Sequence, residues 1–202
     1  DVYKRQETLW ATSRKLFENH LENMYPENLT RKGLEHFTAI FKKYFNKIYR
    51  APTSPEKMAL RIYNTAKYLL KFANGDPRKI LDVYLRSGGP RNPEKFIAWL
   101  KSQKYHGLPN GDKVIRLWFR TMCEGENIEL GNGMWNFKRH ELFAVSMPID
   151  KNIMSAGIAL GLVRVAKGRF EGSFLYLKQP FYDAWMQVAE KSQILPLELD
   201  EP

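Results

Sequence analysis

Two side chains of this 202-residue chain have the types and the surroundings that amine chemistry requires. Lys113 follows directly behind a tight turn, Gly107 to Asp112, and Asp150 ends a Pro-Ile-Asp segment just before an apolar run with helical spacing. A lysine amine can act as a nucleophile that forms a Schiff base, and a fixed carboxylate can stabilise positive charge and move protons. We therefore take Lys113 and Asp150 as the candidate catalytic pair.

Each of the two residues also has an ordinary structural interpretation. Lys113 can be a solvated residue in the first turn of a helix, and Asp150 can be a helix N-cap, a common place for aspartate. The capping and catalytic roles of Asp150 are compatible, because a carboxylate that is held by backbone N–H groups stays ionised and stays in place. The surroundings of the pair must therefore decide between these interpretations.

The charge balance favours a polyanionic partner, with nucleic acid the first candidate. The chain has 32 Lys and Arg against 22 Asp and Glu, which gives a net charge of +10 and a pI of about 9.6. A basic excess of this size is typical of proteins that bind nucleic acid, but it is equally compatible with a solvated basic surface that has no partner. Charge alone leaves these two possibilities about even.

Cysteine and histidine usage predicts a site without a metal or another cofactor. Cys123 is the only cysteine, so an internal disulfide and a four-thiolate iron–sulfur cluster are both excluded, and a reducing compartment is expected. The four histidines lack zinc-binding spacing, although His106 borders the turn. No apolar run approaches the roughly 20 residues that cross a bilayer. We expect no contact with a membrane.

The elements that must position the pair are predicted to be helices, so the fold class is expected to be all-α. Capping residues agree with the apolar spacing: Ser54 before Pro55 marks one start, and Gly75 marks the end of the same helix. Three glycines between Glu124 and Ser146 predict a long loop or a small hairpin. Residues 195–202 suggest a frayed acidic tail. The predicted helices cover about residues 9–24, 30–49, 55–73, 77–86, 93–100, 113–122, 150–163 and 180–191.

The turn before Lys113 is suited to holding a phosphate. Two helices joined by a tight glycine turn can point backbone N–H groups at an anion, where the positive end of a helix dipole assists. Glycine at 107 and 111 lets the backbone approach closely because no Cβ intervenes. Such a turn binds DNA without reading its sequence. The residues expected to contact DNA are Gly107, Pro109, Asn110, Gly111, Arg116, Arg120, Lys151 and Asn152.

Three short blocks of the sequence resemble the helix-hairpin-helix DNA glycosylases of base excision repair. The blocks are Leu108–Lys113, Pro148–Ile153 and Leu160–Val163, and the resemblance covers about residues 54–165. In that family the lysine behind the hairpin is the nucleophile of the bifunctional members, and the aspartate is the assisting carboxylate. The resemblance therefore implies these roles for Lys113 and Asp150.

The chain is most similar to the archaeal 8-oxoguanine (GO) branch of the family, the N-glycosylase/DNA lyases. Lys113 and Asp150 are 37 residues apart, which is longer than in the endonuclease III branch, whose members usually also hold a cluster with four cysteines. Pro109 or Asn110 stands in place of the usual first hairpin glycine, and Asn152 in place of a frequent histidine. The resemblance implies an enzyme that excises an oxidised base, with 8-oxoguanine favoured, and that cleaves the strand through a lysine Schiff base.

The resemblance also implies an architecture, a two-lobed helical bundle with a helix-hairpin-helix motif and an active-site cleft between the lobes. Residues 1–6 resemble a translated sequencing-adapter scar, and in that case the authentic N-terminus is missing. Residues 7–53 are expected to form N-terminal helices that pack with the C-terminal ones. Residues 54–165 would be the glycosylase-like core, and residues 166–202 a C-terminal helix and tail.

The expected partner is damaged double-stranded DNA, bound by a monomeric, cytoplasmic and nucleoid-associated protein of a prokaryote. Trp118 and Trp135 are candidates for stacking on an extruded base. Two alternatives to the enzyme remain at this point. The first is a basic helical module that binds DNA without catalysis, with Lys113 as a phosphate contact and Asp150 as a cap. The second is a helical scaffold whose basic surface meets an acidic protein.

Overall fold

The computed structural model describes residues 14–45, 54–103, 111–124, 133–164 and 178–200, and within these ranges it contains helices and no strand. The expectation of an all-α fold is confirmed. None of the helices in these ranges combines the length and the apolar character that a bilayer crossing needs. The helices are α1 (residues 14–24), α2 (Pro26–Lys32), α3 (Leu34–Tyr44), α4 (Pro55–Ala73), α5 (Ile80–Arg86), α6 (Pro93–Ser102), α7 (Asp112–Glu124), α8 (Arg139–Leu142), α9 (Lys151–Ala159) and α10 (Lys178–Ser192), with 3₁₀ turns at Pro77–Lys79 and Glu198–Asp200.

Helix boundaries follow the capping residues that the sequence contains. Ser54 caps α4 by accepting a hydrogen bond from the backbone N–H of Lys57 at 3.3 Å, and Pro55 occupies the first turn. At the other end, Asn74 adopts a left-handed conformation with φ of 50° and closes the helix. The predicted bounds of this helix are confirmed.

A glycine divides the helix that the sequence predicts over residues 30–49. Gly33 has a φ of +86°, a backbone conformation that residues with a Cβ rarely adopt, and it separates α2 from α3. The prediction of one continuous helix here is wrong. The apolar spacing continues across Gly33, although the backbone changes direction at this residue.

The described residues divide into two compact units. The first contains residues 14–45, 54–86 and 103, and the second contains residues 87–102, 111–124, 133–164 and 178–200. The division falls after Arg86, within the span 54–165 that the sequence assigns to a single core. In the first unit, α2, α3 and α4 pack around one apolar cluster, Leu16, Leu29, Phe37, Phe41, Phe45, Ala59 and Ala66.

Aromatic rings form one core of the second unit. Trp135 is 0% exposed and lies with its ring centroid 4.9 Å from those of Phe96 and Trp118, edge to face with both. Trp135 therefore lies within the protein core, and its predicted role of stacking on a base is wrong. Trp118 is partly exposed. The described part of the predicted loop, residues 133–146, also includes the short helix α8.

A second core of this unit joins α9 to α10 and thereby fixes the helix that begins at Asp150. Ile153 and Met154 of α9 pack with Phe181 and Trp185 of α10. Gly157 permits this close approach, since a Cβ there would lie 3.1 Å from the Phe181 ring. The helix behind Asp150 therefore has a buried face that resists sliding.

The C-terminal segment is packed rather than frayed through residue 200. Leu195 and Leu197 are buried, and the Leu197 carbonyl accepts a hydrogen bond of 3.1 Å from the Arg120 guanidinium. The acidic residues suggest a frayed tail, but Leu195 and Leu197, which precede them, are buried. The prediction of a frayed tail is wrong for the described part of this segment.

We predict that Trp135→Ala lowers the free energy of unfolding by about 3–5 kcal/mol, because it removes a fully buried aromatic side chain. Urea denaturation followed by circular dichroism measures this loss. Met134→Ala is the matched control, because the Met134 side chain, next to Trp135 in the sequence, is 53% exposed. We expect this substitution to change the free energy of unfolding by about 0.5 kcal/mol at most. Equal effects of the two substitutions would contradict the aromatic core.

Candidate active site

Lys113 and Asp150 form an ion pair within the second unit. Lys113 lies in the first turn of α7, and Asp150 directly precedes α9. The Lys113 Nζ donates a hydrogen bond of 2.5 Å to Asp150 Oδ2. The two side chains are 42% and 26% exposed, so solvent or a bound molecule can reach both.

The two carboxylate oxygens of Asp150 have different partners. Oδ1 accepts hydrogen bonds from the backbone N–H groups of Asn152 and Ile153, at 2.9 and 3.0 Å, and so caps α9. Oδ2 accepts from Lys113. Burial raises the pKa of Asp150, but the hydrogen bonds from Lys113 and from the two amides outweigh it and leave the pKa lowered. The carboxylate is therefore held ionised and in a fixed orientation.

Asp112, beside Lys113 in the sequence, anchors the start of α7. Its carboxylate accepts hydrogen bonds from Lys101 of α6, from Arg116 one turn later at 2.9 Å, and from the Tyr182 hydroxyl of α10 at 3.0 Å. Burial raises the pKa of Asp112, but the Lys101 hydrogen bond and the Arg116 charge lower it to about 2. Burial, and then the Asp112 carboxylate, raise the pKa of Tyr182 to about 12. From the sequence, Asp112 is predicted only as part of the turn, and this anchoring role is not predicted.

Arg116 and Arg120, which the sequence assigns to phosphate contacts, are buried. The Arg116 guanidinium contacts Glu94 with two hydrogen bonds, at 2.6 and 3.0 Å, and Arg120 donates to the Leu197 carbonyl. Because residues four apart share one face of a helix, Asp112, Arg116 and Arg120 all lie on the inward face of α7. Both arginines thus have structural roles, and we do not include them among the proposed phosphate contacts.

The other predicted DNA contacts are only partly within the described residues. Gly111 is exposed, and its carbonyl accepts a hydrogen bond from Ile115 at 3.3 Å where α7 begins; a Cβ there would meet no atom within 4 Å. Asn152 is exposed in the first turn of α9, and Lys151 is the first residue of that helix. Gly107, Pro109 and Asn110 lie outside the described residues, as do His106 and residues 1–6.

Comparisons with known proteins do not assign this chain to a class of protein. The chain matches no protein-family model, and searches of curated proteins and of solved structures gave no match. Within the described ranges, no group of three or more His, Cys, Asp or Glu side chains is arranged to hold a metal ion. What the arrangement offers is one amine hydrogen-bonded to one oriented carboxylate.

We predict that a carbodiimide, which couples an amine to a carboxylate without a spacer, joins Lys113 to Asp150, because their polar atoms are 2.5 Å apart. Peptide mapping by mass spectrometry identifies the new amide bond, which Asp150→Asn should eliminate. The Lys101–Asp112 pair is an internal positive control. Coupling of Lys101 to Asp112 without any coupling of Lys113 to Asp150 would contradict the described geometry.

A second prediction concerns the pH dependence of stability. Folding lowers the pKa of Asp112 from 3.8 to about 2, so its ionised form stabilises the fold above pH 4 and this stabilisation is lost as the pH falls through 2. Two pKa units correspond to about 3 kcal/mol. We expect Asp112→Asn to reduce the free energy of unfolding by an amount of this order at pH 7, and the deficit to shrink between pH 4 and 2.

Urea denaturation at several pH values measures the deficit. Asp183→Asn is the control, because the Asp183 carboxylate is exposed and accepts a hydrogen bond from the neutral Gln179 side chain. We expect this control to lie within about 0.5 kcal/mol of the wild type at each pH. A deficit for Asp112→Asn that stays constant from pH 7 to pH 2 would contradict the role of its charge.

Proposed function

We propose that the protein is a DNA glycosylase of base excision repair with an associated lyase activity, and that Lys113 and Asp150 are its catalytic residues. The observation that supports this best is the 2.5 Å contact between the amine in the first turn of α7 and the carboxylate at the start of α9. The net charge of +10 is consistent with a DNA substrate. An oxidised base, with 8-oxoguanine favoured, is the proposed target.

The proposal includes a helix-hairpin-helix motif formed by α6, the turn before Gly111, and α7. Backbone N–H groups at the start of α7 would then face a phosphate, with Gly111 leaving room for its approach. Lys151 and Asn152, at the start of α9, are the other proposed DNA contacts. A cleft that admits the extruded nucleotide, a monomeric state and a prokaryotic cytoplasmic location belong to the same proposal.

In the proposed reaction the target nucleotide first leaves the base stack, because its C1′ carbon cannot be reached within the duplex. The neutral Lys113 amine attacks C1′, the bond between C1′ and the base breaks, and the electron pair leaves with the base, which takes up a proton. Loss of a proton from the attached nitrogen and opening of the sugar ring then give a Schiff base. A base then removes a proton from C2′, a double bond forms between C2′ and C3′, and the 3′ phosphate leaves, which cleaves the strand.

Asp150 is suited to two parts of this reaction. Its Oδ2 atom already accepts a hydrogen bond from the Lys113 amine, so it can receive the proton that the amine must lose before it attacks. Once this proton has been passed on to the departing base or to solvent, the carboxylate is negative again and, fixed by two backbone amides, can stabilise the positive charge that develops on the sugar. Neither step requires Asp150 to change its capping contacts.

We predict that Lys113→Gln abolishes base release and borohydride trapping, and that Asp150→Asn lowers turnover by about 10²–10⁴-fold with DNA binding largely retained. Asparagine is also a good N-cap, so α9 should persist in the second variant. Substrates are duplexes that contain 8-oxoguanine, uracil, thymine glycol or 3-methyladenine, assayed with and without borohydride. Lys57→Gln, in the first turn of α4, is the matched control and should be fully active. Trapping that persists in Lys113→Gln would place the nucleophile elsewhere.

A non-catalytic DNA-binding module is the second candidate, and one observation favours it. The Lys113–Asp150 ion pair and the cap of α9 together satisfy both oxygens of Asp150, as a purely structural pair would. DNA binding without base release from any of the four lesions, in wild type and Lys113→Gln alike, would identify this module. If duplex DNA fails to compete with an acidic protein for the basic surface, the scaffold alternative gains support instead.

A further inference from the structure

Glu94 joins the two chain segments on which the candidate active site depends. Its carboxylate accepts hydrogen bonds of 2.6 and 3.0 Å from the Arg116 guanidinium in α7. Glu94 Oε1 also accepts from the backbone N–H and the hydroxyl of Ser146, at 2.8 and 3.0 Å. Ser146 begins the segment of residues 146–149 that leads into Asp150, and Arg116 lies about one turn beyond Lys113.

Arg116 closes this cluster from the other side. Its Nη1 atom donates to the Ser146 carbonyl at 3.1 Å, and its Nε atom donates to Asp112 at 2.9 Å. The Arg116 side chain is only 8% exposed. The hydrogen bonds of this guanidinium therefore go to Asp112, which is next to Lys113, to Glu94, and to Ser146 in the segment before Asp150.

We propose that the Glu94–Arg116–Ser146 cluster positions Lys113 against Asp150, with Glu94 and Arg116 as positioning residues that do not touch the substrate. Bidentate contacts between a guanidinium and a carboxylate are directional, so they fix the register of the Ser146 segment along α7. Apolar packing does not supply this, because burial of Met147 and Ile149 sets the depth of the segment but is not directional.

Stability alone is a weak explanation for such a cluster. Replacing a buried ion pair by apolar residues is often neutral or stabilising, because desolvation of the two charges offsets their attraction. Geometry is a stronger explanation, since a displacement of about 1 Å between reacting groups can cost about 100-fold in rate. The catalytic meaning of the cluster rests on the proposed function, whereas its control of the Lys113–Asp150 contact does not.

The experiment compares Glu94→Gln with the wild type by two measurements. The first is the yield of the carbodiimide cross-link between Lys113 and Asp150, normalised to the Lys42–Glu56 cross-link, whose atoms are 2.7 Å apart in the first unit. The second is the kcat and the KM of strand cleavage on the best of the four lesions. We expect the cross-link yield to fall several-fold and kcat to fall about 10–100-fold, with KM changed less than threefold. Glu94→Asp should recover part of both losses.

Glu141→Gln is the matched control. Glu141 also pairs with an arginine, Arg91, at 3.1 Å and accepts a backbone N–H bond, from Lys138 at 2.6 Å, within the same unit. Its side chain has no hydrogen bond to α7 or to residues 146–149 among the described contacts. Its substitution should lower the unfolding midpoint without changing the normalised cross-link yield, which separates positioning from loss of an ion pair as such.

A normalised cross-link yield equal to that of the wild type in folded Glu94→Gln would overturn the proposal. If circular dichroism shows that this variant is unfolded, the double variant Glu94→Leu/Arg116→Met, which leaves neither charge unpaired, decides by the same criterion. A reduced yield with unchanged kcat would overturn the catalytic role of the cluster alone. If the wild type shows no strand cleavage, the proposed function fails, and the cross-link yields still test the positioning of Lys113.

Discussion

The capping of α9 by Asp150 is the constraint on which the rest of the site depends. An N-cap carboxylate uses one oxygen for the backbone amides, here those of Asn152 and Ile153, and this leaves the other oxygen pointing in a defined direction. That free direction is the one in which Lys113 lies. The position of the carboxylate is thus set by the backbone of a packed helix, and the amine has to be brought to it by the rest of the unit.

The rest of the unit does this with the inward face of α7. Asp112, Arg116 and Arg120 recur at intervals of four and contact α6, α10 and the C-terminal segment, whereas Lys113 lies about 100° away from Asp112 around the helix. One consequence concerns the net charge of +10, because two of the arginines counted in it are buried within the protein. The basic surface available to a polyanion is smaller than composition suggests.

The sequence predicts most of the features that depend on local spacing, the division at Gly33 excepted, and misses most of those that depend on packing partners. Apolar spacing and caps were sufficient for the all-α fold and for α4, because Ser54, Pro55 and Asn74 act on neighbouring backbone. The burial of Arg116 could not be predicted, because it requires Glu94 and Ser146 at the same place, and nothing local brings them together. The sequence does contain one signal. Asp112, Arg116 and Arg120 recur at intervals of four, so their side chains lie on one face of α7.

Exposure differs between the candidate pair and the cluster behind it, and this difference suits a site that must exchange partners. Lys113 and Asp150 are partly exposed, and an ion pair at such a position contributes only about 0–1 kcal/mol to stability, so a bound molecule can separate it at low cost. Arg116 is buried, and leaving its charge unpaired would cost about 3–5 kcal/mol. The costly contacts to break are therefore those of Arg116, behind the Lys113 amine, and not the ion pair itself. The Lys113 amine can therefore leave Asp150 and return while the contacts of Arg116 stay in place.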